Sequence, residues 1–453
     1  MTPRDVPTGH HGLALTFYGD DFTGSTDVME ALTLAGIPTV LFLDAPTPEL
    51  LAAHPDALAI GVAGISRTMS PEEMDATLPG IFSRLAGLRA PLFHYKICST
   101  FDSSPHTGSI GRAAEILRRI FPGYPMPILV AVPELGRYAA FGHLFASAGR
   151  DVHRLDRHPV MSRHPVTPMS ESDLLVHLAA QTDLPTALVD LRALGGPDAA
   201  VDERVDAVLA SGAQIVHFDT VDAATQRQVG RTLTRLAEGR PGGEPLVVIG
   251  SSGVEYALDQ AWPEGRGVPV GQPDEVADVD QTLVIAGSRA RVTDDQVAWA
   301  IENGFAEVRV DPAAATGPDA AAYATVVVER AAAAWRRGGH VLVRTPPKSG
   351  TSDVDGNLLG AALGRIADGL GRLVDVRRLV VAGGDTSGFV ARALGIETLR
   401  LVRQLAPGAP LCRATSRNGR FDGLEICLKG GKNGTPDYFV RIAALASSRL
   451  LNL

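Results

Sequence analysis

The chain has 453 residues, of which 45% are hydrophobic and 21% are charged, and its formal net charge is -9 at pH 7. This length predicts two or three domains, and this composition indicates a globular protein and excludes a disordered or fibrous one. The acidic balance and the lack of a Lys/Arg-rich block argue against a nucleic-acid partner, because binding nucleic acid requires a basic face that neutralises phosphates.

The sequence contains no sign of a secretion signal or a membrane segment. Residues 1–12, MTPRDVPTGHHG, lack the apolar core of a signal peptide, and no later stretch is long and apolar enough to span a bilayer. We therefore expect a cytoplasmic protein that has no membrane partner.

The first predicted elements form a β-α-β unit. Residues 13–18 are an apolar run that suits a buried strand, and the apolar residues after it recur at helical spacing up to Gly36, which suits a helix end. Residues 39–43 suit a second strand. Ligands of open parallel sheets bind beyond the carboxyl ends of the strands, and Asp20 and Asp21 occupy this position after the first strand.

Two interpretations of this acid pair remain open. An Asp that precedes a helix can cap it, because its carboxylate accepts hydrogen bonds from free N–H groups and interacts favourably with the helix dipole. The same position suits a catalytic carboxylate. The pattern of Asp20 and Asp21 does not decide between capping and catalysis.

Further polar side chains follow the next predicted strands of the N-terminal half. Arg67 lies after a short apolar run and before a helix start at Ser70, and it suits either a ligand carboxylate or a surface position near a helix cap. Another strand is predicted to end at Lys96. A row of hydroxyl and carboxylate side chains follows that strand: Ser99, Thr100, Asp102, Ser103 and Ser104. The row suits a polyhydroxylated ligand, although turn chemistry alone also favours Ser in loops.

The stretch RHPVMSRHPVTPM contains two histidines, His158 and His164. They are not spaced as a helical i,i+4 pair and no Cys lies beside them, so we do not expect zinc here, and the sequence identifies no metal ligands. His164 or Arg163 suits a group that closes over a substrate. An exposed structural loop, made rigid by its prolines, is the alternative.

Two glycine-containing turns follow predicted strands in the C-terminal half. The first contains Ser288, and it precedes a helix predicted from about residue 294 to 303, with Thr293 as its cap and Gly304 at its end. The second is GGDTSG, residues 383–388, which follows a strand and precedes a short helix.

A third turn, LKGGKNG, spans residues 428–434 and also follows a predicted strand. Glycines allow backbone N–H groups to approach an anion, and a helix start adds positive potential. Each turn alone is consistent with a tight βα connection, but three together favour a nucleotide. Neither GxxxxGK[ST] nor a GxGxxG dinucleotide fingerprint is present.

The chain divides at residues 263–281, which are rich in Pro, Gly and acidic residues and lack apolar periodicity. On either side, short Val/Leu/Ile runs alternate with Ala-rich helical patterns, which is typical of βα units around parallel sheets. We therefore predict an α/β protein with two domains, residues 1–262 and 282–453, joined by this linker. Each domain is expected to contain a mainly parallel sheet flanked by helices.

Six motifs, in this order, resemble the four-carbon acid sugar kinase family. They are YGDDFTGSTDV, YKICSTFDSSPHTGSIG, RHPVTPM, AGSRARVTDDQ, GGDTSGFVARALGI and LKGGKNGTPDYF, and the resemblance extends from about residue 13 to 442. It implies an N-terminal domain that binds a sugar acid, a C-terminal domain that binds ATP, and phosphoryl transfer in a cleft between them. The sequence departs from the family at Gly19, where Ala is common, at Asp385, where Glu is common, and in the LKGGKNG turn.

The resemblance places Asp20, Asp21 and Thr23 at the substrate, and Ser288, Gly383 to Thr386 and Gly431 at ATP. The chemistry of the residues suggests the individual roles and the remaining contacts. Asp21 would accept the proton of the substrate hydroxyl, and Asp20 would orient the substrate or a Mg²⁺ shell. The predicted substrate-binding residues are Thr23, Arg67, Lys96, Ser99, Thr100, Asp102 and His164. The predicted ATP-binding residues are Ser288, Gly383, Gly384, Asp385, Thr386, Gly430 and Gly431.

The predicted reaction is Mg²⁺-dependent transfer of the γ-phosphoryl group of ATP to a terminal hydroxyl of a small acid sugar. The CSTFDS stretch resembles the branch of the family that acts on oxidised acid sugars. This resemblance implies a 3-oxo-tetronate as substrate, with 3-oxo-isoapionate, threonate and erythronate as alternatives. A sugar-acid binding protein without catalysis is the alternative of a different class. A dehydrogenase is disfavoured by the missing dinucleotide fingerprint. The sequence permits a homodimer but does not determine the oligomeric state.

Overall fold

The structure is a computed structural model that describes residues 12–164, 166–240, 244–262, 275–346, 354–406 and 408–445. It forms two compact units. Unit 1 comprises Met1–Val40 and Asp44–Val270, and unit 2 comprises Leu41–Leu43 and Gly271–Leu453. Of the predicted linker, residues 263–274 lie outside the described part of the chain.

The first half of the chain contains eleven strands and eight helices among the described residues. The strands are β1 (Leu15–Gly19), β2 (Thr39–Phe42), β3 (Ala59–Ala63), β4 (Leu92–Lys96), β5 (Met126–Leu129), β6 (Arg137–Ala140), β7 (His143–Ala148), β8 (Asp151–Arg154), β9 (Thr186–Val189), β10 (Ile215–Phe218) and β11 (Leu246–Gly250). The helices are α1 (Phe22–Leu34), α2 (Pro48–Ala52), α3 (Pro71–Ala86), α4 (Ile110–Ile120), α5 (Leu174–Ala179), α6 (Asp198–Leu209), α7 (Ala223–Glu238) and α8 (Gly253–Ala261).

The main sheet of unit 1 contains a reversal of strand order beside β1. The strands from β3 onward are arranged β3-β1-β4-β11-β5-β10-β9, and all of these pairings are parallel. The connections from β1 lead to β3 on one side, whereas β4 and later strands lie on the other side. Ligands of α/β proteins bind at such a switch point, beyond the carboxyl ends of the strands. Strands β6, β7 and β8 form a separate antiparallel sheet.

The local signals at the start of unit 1 act as the sequence predicts. All five residues of β1 are buried, although the strand begins two residues later than expected. Helix α1 is capped by Asp21, whose carboxylate accepts a hydrogen bond from the Gly24 N–H at 2.9 Å. Capping is therefore one confirmed role of this Asp. Gly36 follows the helix end with a φ of 82°, a conformation that glycine adopts without strain.

The second half of the chain contains seven strands and six helices among the described residues. The strands are β12 (Leu283–Ala286), β13 (Ala306–Arg309), β14 (Val341–Arg344), β15 (Arg378–Ala382), β16 (Ile396–Arg403), β17 (Leu411–Ser416) and β18 (Glu425–Lys429). The helices are α9 (Arg291–Glu302), α10 (Pro312–Thr316), α11 (Ala320–Arg336), α12 (Gly356–Leu373), α13 (Gly384–Ala393) and α14 (Tyr438–Ala443). Within the described ranges, none of the helices in either half has the length and apolar character that a bilayer crossing requires.

The sheet of unit 2 has its own reversal of strand order, between β12 and β15. Its order is β13-β14-β12-β15-β18-β17-β16, with parallel pairings from β13 to β18 and antiparallel pairings of β17 with both neighbours. The predicted α/β class with mainly parallel strands is therefore confirmed. One apolar core of this unit lies where α9 and α14 cover the sheet, and it includes Val297, Cys427 and Phe439.

Two local predictions in unit 2 are wrong in detail. Helix α9 begins at Arg291 after Ala290, not near residue 294, because the Thr293 hydroxyl donates to the Gly431 carbonyl at 2.8 Å instead of capping the helix. Residues 384–388, predicted as a turn, already form the first turns of α13. In both places the helix begins nearer to the end of the preceding strand than residue preferences indicate.

A buried ion pair links the amino ends of β15 and β18. The side chains of Arg378 and Glu425 are both fully buried, and Arg378 Nε and Nη2 lie 2.8 and 2.7 Å from Glu425 Oε2. Arg378 also donates to the backbone carbonyls of Ala277, Ile442 and Leu445. The guanidinium is thus satisfied only while the carboxylate is present.

We expect Arg378→Met to lower the free energy of unfolding by about 3–5 kcal/mol, because the buried Glu425 carboxylate would lose its two shortest ion-pair contacts. It would keep only Arg413 Nη2 at 3.4 Å and the Ala277 N–H. Urea denaturation measures this difference. Arg372→Met is the matched control: its guanidinium is 65% exposed and pairs with Asp368 at 2.8 Å on α12, and its removal should cost less than about 1 kcal/mol. Equal losses for the two variants would show that the buried pair contributes nothing specific.

Candidate functional site

One arginine holds the acid pair at the end of β1. Arg67 Nε and Nη2 donate to Asp20 Oδ2 and Oδ1 at 3.1 and 2.6 Å, and Nη2 also donates to Asp21 Oδ1 at 2.9 Å. The backbone fixes the same residues, because Asp20 N–H donates to the Lys96 carbonyl and Arg67 N–H donates to the Asp20 carbonyl. Two adjacent carboxylates are therefore tolerated because a single guanidinium compensates both.

Burial and charge act in opposite directions on these groups. The side chain of Asp20 is only 4% exposed, against 22% for Arg67 and 29% for Asp21. Burial raises the pKa of Asp20, and the positive charge of Arg67 opposes this shift. Burial would lower the pKa of Arg67, but the two carboxylates outweigh it and the pKa is raised well above its usual value. Arg67 therefore stays positively charged at this site.

The two carboxylate oxygens of Asp21 differ in their hydrogen bonds. Oδ1 accepts from the Gly24 N–H at the helix start and from Arg67 Nη2. Oδ2 accepts no hydrogen bond from any other described residue, and the side chain is partly exposed. Capping therefore leaves Oδ2 without a hydrogen bond from another described residue, so a catalytic role of Asp21 remains possible.

Lys96 brings a second cation to this acid pair. It is the last residue of β4 and is buried, and its Nζ donates to the Ile97 carbonyl at 3.0 Å. A Cβ atom at Gly24 would lie 2.8 Å from Lys96 Nζ and 2.5 Å from Asp21 Oδ1, so the ammonium lies directly over the first turn of α1. No carboxylate of the described chain pairs with it, which leaves its other donors available to a ligand.

This close approach makes Gly24→Ala a sensitive test of the site. The added methyl group is expected to displace Lys96 and Asp21. If this is the active site, kcat/KM should fall by at least about tenfold, since small displacements of groups that position a substrate have large effects. Steady-state kinetics measures the loss. Gly80→Ala in α3 is the control, because nothing lies within 4 Å of the added Cβ and a helical Ala stabilises. Unchanged kinetics for Gly24→Ala would mean that Lys96 does not act at this position.

The row of hydroxyl and carboxylate side chains after β4 makes hydrogen bonds within its own loop. The Thr100 hydroxyl donates to Asp102 Oδ1 at 2.7 Å, and Cys98 Sγ lies 3.0 Å from Thr100 Oγ1. Burial raises the pKa of the Cys98 thiol to about 11, the Asp102 charge adds to this shift, and Arg67 opposes it. This segment therefore lies within the electrostatic range of Arg67. Ser99 is partly exposed in the same loop.

Two predicted substrate residues have purely local hydrogen bonds. Thr23 lies in the first turn of α1, is partly exposed, and its carbonyl accepts from the Thr26 hydroxyl. His164 Nδ1 accepts from both the N–H and the hydroxyl of Thr167, at 3.1 and 3.0 Å. Among the described residues, His164 makes no hydrogen bond with the acid pair or with Lys96. A substrate role for either residue stays a prediction.

The sequence analysis did not single out Asp27, which lies on the same side of α1 as Gly24. The Ser252 hydroxyl at the start of α8 hydrogen-bonds to it, and Asp27 is partly exposed. Burial raises its pKa, whereas the nearby charge of Lys96 acts in the opposite direction. The i+3 spacing from Gly24 was the available signal, because residues three apart share a helix face.

The three glycine-containing turns of unit 2 converge on one edge of its sheet. The Gly287 and Ser288 N–H groups both donate to the Ala382 carbonyl at 3.0 Å, and the Gly383 N–H donates to the Lys429 carbonyl at 2.9 Å. These bonds join the ends of β12, β15 and β18. Their backbones also approach closely: a Cβ atom on Gly287 would overlap Thr386, and one on Gly431 would overlap Ser288.

Two helix starts at this edge lack side-chain caps. Gly383 precedes α13 with a φ of 134°, Ala290 precedes α9, and neither position receives a side-chain cap. Gly384 and Asp385 are exposed, whereas Thr386 is buried. Free N–H groups and the positive potential of a helix N-terminus favour anions such as phosphates.

The third turn completes this arrangement of predicted residues. The Thr293 hydroxyl donates to the Gly431 carbonyl at 2.8 Å, and the neighbouring Gly430 carbonyl accepts from Asn433 N–H. The structure thus brings Ser288, residues 383–386 and Gly431 together. Residues that are more than 90 positions apart in the sequence share one site because their strands are adjacent in the sheet.

Comparisons with known proteins assign a different family model to each half of the chain. Residues 15–258 match the family model of a sugar-binding N-terminal domain, and residues 283–439 match that of a nucleotide-binding C-terminal domain. A protein of Salmonella typhimurium LT2 has a similar solved structure, with a TM-score of 0.78 and 23% identity over 95% of this chain and 99% of that chain. At this level of identity, the likeness shows the fold alone.

Two curated relatives are similar along nearly the whole chain. The 3-oxo-isoapionate kinase of Paraburkholderia graminis is 44% identical over 96% of both proteins. The 3-oxo-tetronate kinase of Cupriavidus necator is 31% identical over 95% of this chain and 96% of its own. This chain therefore belongs to the four-carbon acid sugar kinase family, and its activity is that of an ATP-dependent kinase.

Proposed function

We propose that the enzyme phosphorylates a terminal hydroxyl group of a small oxidised acid sugar, with a branched 3-oxo-isoapionate as the preferred substrate. The contrast between the two switch points carries the proposal. Unit 1 offers carboxylates beside Arg67 and Lys96, which suit a polyol acid. Unit 2 offers backbone N–H groups and uncapped helix starts, which suit a triphosphate.

The substrate preference follows from the relatives. The 3-oxo-isoapionate kinase is 44% identical to this chain, compared with 31% for the 3-oxo-tetronate kinase of Cupriavidus necator. The sequence motifs alone favoured the straight-chain tetronate, and the higher identity moves our preference to the branched acid. Straight-chain 3-oxo-tetronate is the second candidate, because the two compounds belong to one chemical class.

The residues of unit 1 have the following proposed roles. Asp21 accepts the proton of the attacking hydroxyl through Oδ2, because its other oxygen is occupied by the helix start and Arg67. Asp20 holds and orients Arg67, which binds the substrate carboxylate through its remaining donors. Lys96 binds substrate oxygens. The other proposed contacts are Thr23, Ser99, Thr100, Asp102 and His164.

In unit 2, the proposed nucleotide contacts are those at the converging turns: Ser288, Gly383, Gly384, Asp385, Thr386, Gly430 and Gly431. The described residues contain no group of three or more His, Cys, Asp or Glu side chains arranged to hold a metal ion. We therefore propose that Mg²⁺ arrives with ATP, held mainly by phosphate oxygens and water as is usual for this ion, where it would neutralise phosphate charge.

A coupled assay of ADP release tests the substrate proposal. The purified protein is given MgATP with 3-oxo-isoapionate, 3-oxo-tetronate, threonate or erythronate in separate reactions. We expect the highest kcat/KM with 3-oxo-isoapionate. A higher value for 3-oxo-tetronate would reverse the preference, and no turnover with any of the four acids would reject this substrate class. The homodimer and the cytoplasmic location stay predictions.

A further inference from the structure

Lys429 is a buried lysine whose ammonium has no polar partner in the described part of the chain. It is the last residue of β18, its side chain is fully buried, and its Nζ has no hydrogen-bond acceptor among the described residues. The rings of Tyr438 and Phe439 on α14 lie near it, with their centroids 5.9 and 5.8 Å from Nζ. These distances are at the outer limit of a cation–π contact, and the rings provide no hydrogen-bond acceptor for the ammonium.

An unpaired ammonium in an apolar core is costly, because desolvation of the charge is not repaid by a hydrogen bond or an anion. Burial accordingly lowers the pKa of Lys429 from 10.5 to about 8. A Met or Leu at this position would pack without that cost. The presence of a lysine therefore calls for an interaction that forms only in another state of the protein.

The backbone of Lys429 already belongs to the proposed nucleotide site. Its carbonyl accepts the Gly383 N–H at 2.9 Å, at the start of α13. Two residues later, Gly431 lies against Ser288 and accepts a hydrogen bond from Thr293. The lysine side chain is therefore attached to the segment that would contact the phosphates.

We propose that Lys429 is a further nucleotide-binding residue, whose ammonium is charged and compensated when the phosphates of ATP occupy the adjacent turns. This proposal rests on the proposed function, since it requires ATP at the edge formed by β12, β15 and β18. The triphosphate would supply a negative charge that the described residues around Lys429 do not provide. Nucleotide binding is then coupled to the uptake of a proton by Lys429.

The surroundings of Lys429 contain few groups that would obscure this coupling. On its own strand, the Cys427 thiol acts on the pKa of Lys429 and raises it slightly against the effect of burial. On α14, the Tyr438 hydroxyl lies 2.7 Å from Cys427 Sγ and donates to the Ala409 carbonyl. On α9, the buried side chain of Gln296 does not titrate, and it donates to the carbonyls of Asn433 and Thr435.

The lowered pKa of Lys429 determines how the stability of the nucleotide-free protein changes with pH. Because the pKa of Lys429 is lower in the folded protein than in the unfolded chain, the unfolded chain binds more protons between about pH 8 and 10.5. Stability therefore rises with pH across this window. Below about pH 8 the folded protein bears the full cost of burying the charged ammonium. Lys429→Met removes the penalty and is expected to raise the Tm at pH 7 by about 4 °C or more.

The same variant should bind ATP less tightly. Isothermal titration calorimetry with MgATP, without sugar acid, is expected to give a Kd about 10- to 100-fold higher for Lys429→Met, as expected for the loss of a charged hydrogen bond. At pH 8.5, titrations in two buffers of different ionisation enthalpy should show that the wild-type protein takes up more protons than the variant. Lys432→Met, at an exposed lysine of the same turn, is the charge-matched control and should not raise the Tm.

The outcomes separate this inference from the proposed function. If the wild-type protein does not bind MgATP, the proposed function is wrong and the inference fails with it. If both proteins bind MgATP with equal Kd and equal proton uptake, the inference alone is wrong. A Tm that falls in Lys429→Met would show that the ammonium is already satisfied. If Lys429→Met does not fold, the wild-type protein alone still tests the proposal. Its Kd for MgATP should increase as the pH rises above about 8, and a Kd that stays constant would overturn the proposal.

Discussion

Asp21→Asn is expected to lower kcat by about 10²- to 10⁴-fold, the usual contribution of a general base. Asn retains the size of the side chain and is an equally good helix cap, so the hydrogen bond from the Gly24 N–H is preserved. The ability to accept a proton is lost, together with the negative charge that Asp21 presents to Arg67. The coupled ADP-release assay with saturating MgATP and sugar acid measures this effect.

A matched cap elsewhere in unit 1 supplies the control for Asp21→Asn. Asp222 caps α7 in the same way, accepting from the Thr225 N–H at 2.8 Å. Asp222→Asn should leave kcat close to the wild-type value, and both variants should retain the wild-type Tm. If Asp21→Asn also turns over at nearly the wild-type rate, another group accepts the proton. Asp27, with its raised pKa and its position near Lys96, would then be the next carboxylate to test.

Arg67→Met is expected to have the second large effect, on stability as well as on activity. Asp20 is 4% exposed and receives two hydrogen bonds from Arg67. Without the guanidinium, the buried Asp20 carboxylate loses its hydrogen-bonded counter-charge, and Lys96 remains only as a nearby charge. This loss should lower the free energy of unfolding by about 3–5 kcal/mol. Urea denaturation measures this loss, and the KM for the sugar acid should rise because the proposed carboxylate contact is gone.

The double variant Asp20→Asn/Arg67→Met separates the two consequences. A neutral Asn no longer requires a counter-charge, so the double variant should recover most of the stability lost by Arg67→Met. Its KM for the sugar acid should remain high, because Arg67 is still absent. If recovery of stability also restores the KM, Arg67 serves only to hold the acid pair and does not bind substrate.

Much of the local structure was predictable because periodicity and capping act over a few residues. The strands ending at Lys96 and Ala382 and the helix start at Ser70 were all identified from neighbouring residues. The mistake at α9 has a tertiary cause, since the Thr293 hydroxyl is taken by a carbonyl 138 positions later in the chain. Residue preferences hold no information about such a partner.

The candidate site was predictable as a set of residues but not as an arrangement. Polar residues at strand ends are visible in the sequence, and the parallel fold places strand ends at one edge. Asp27 escaped notice because it lies inside a helix and becomes a site residue only through Ser252 and Lys96. The burial of Lys429 was equally unpredictable, since a lysine beside glycines is expected to be exposed to solvent.

By itself, the sequence determined the α/β class, the family and the residue types available to each unit. The tertiary structure alone decided which of them meet: Arg67 reaches Asp20 across 47 positions, and Ser288 lies against Gly431. The physical reason is that hydrophobic patterns specify elements locally, whereas sheet order determines which strand ends become neighbours. Burial then decides which charges need a partner, and it depends on the packing of helices from distant parts of the chain.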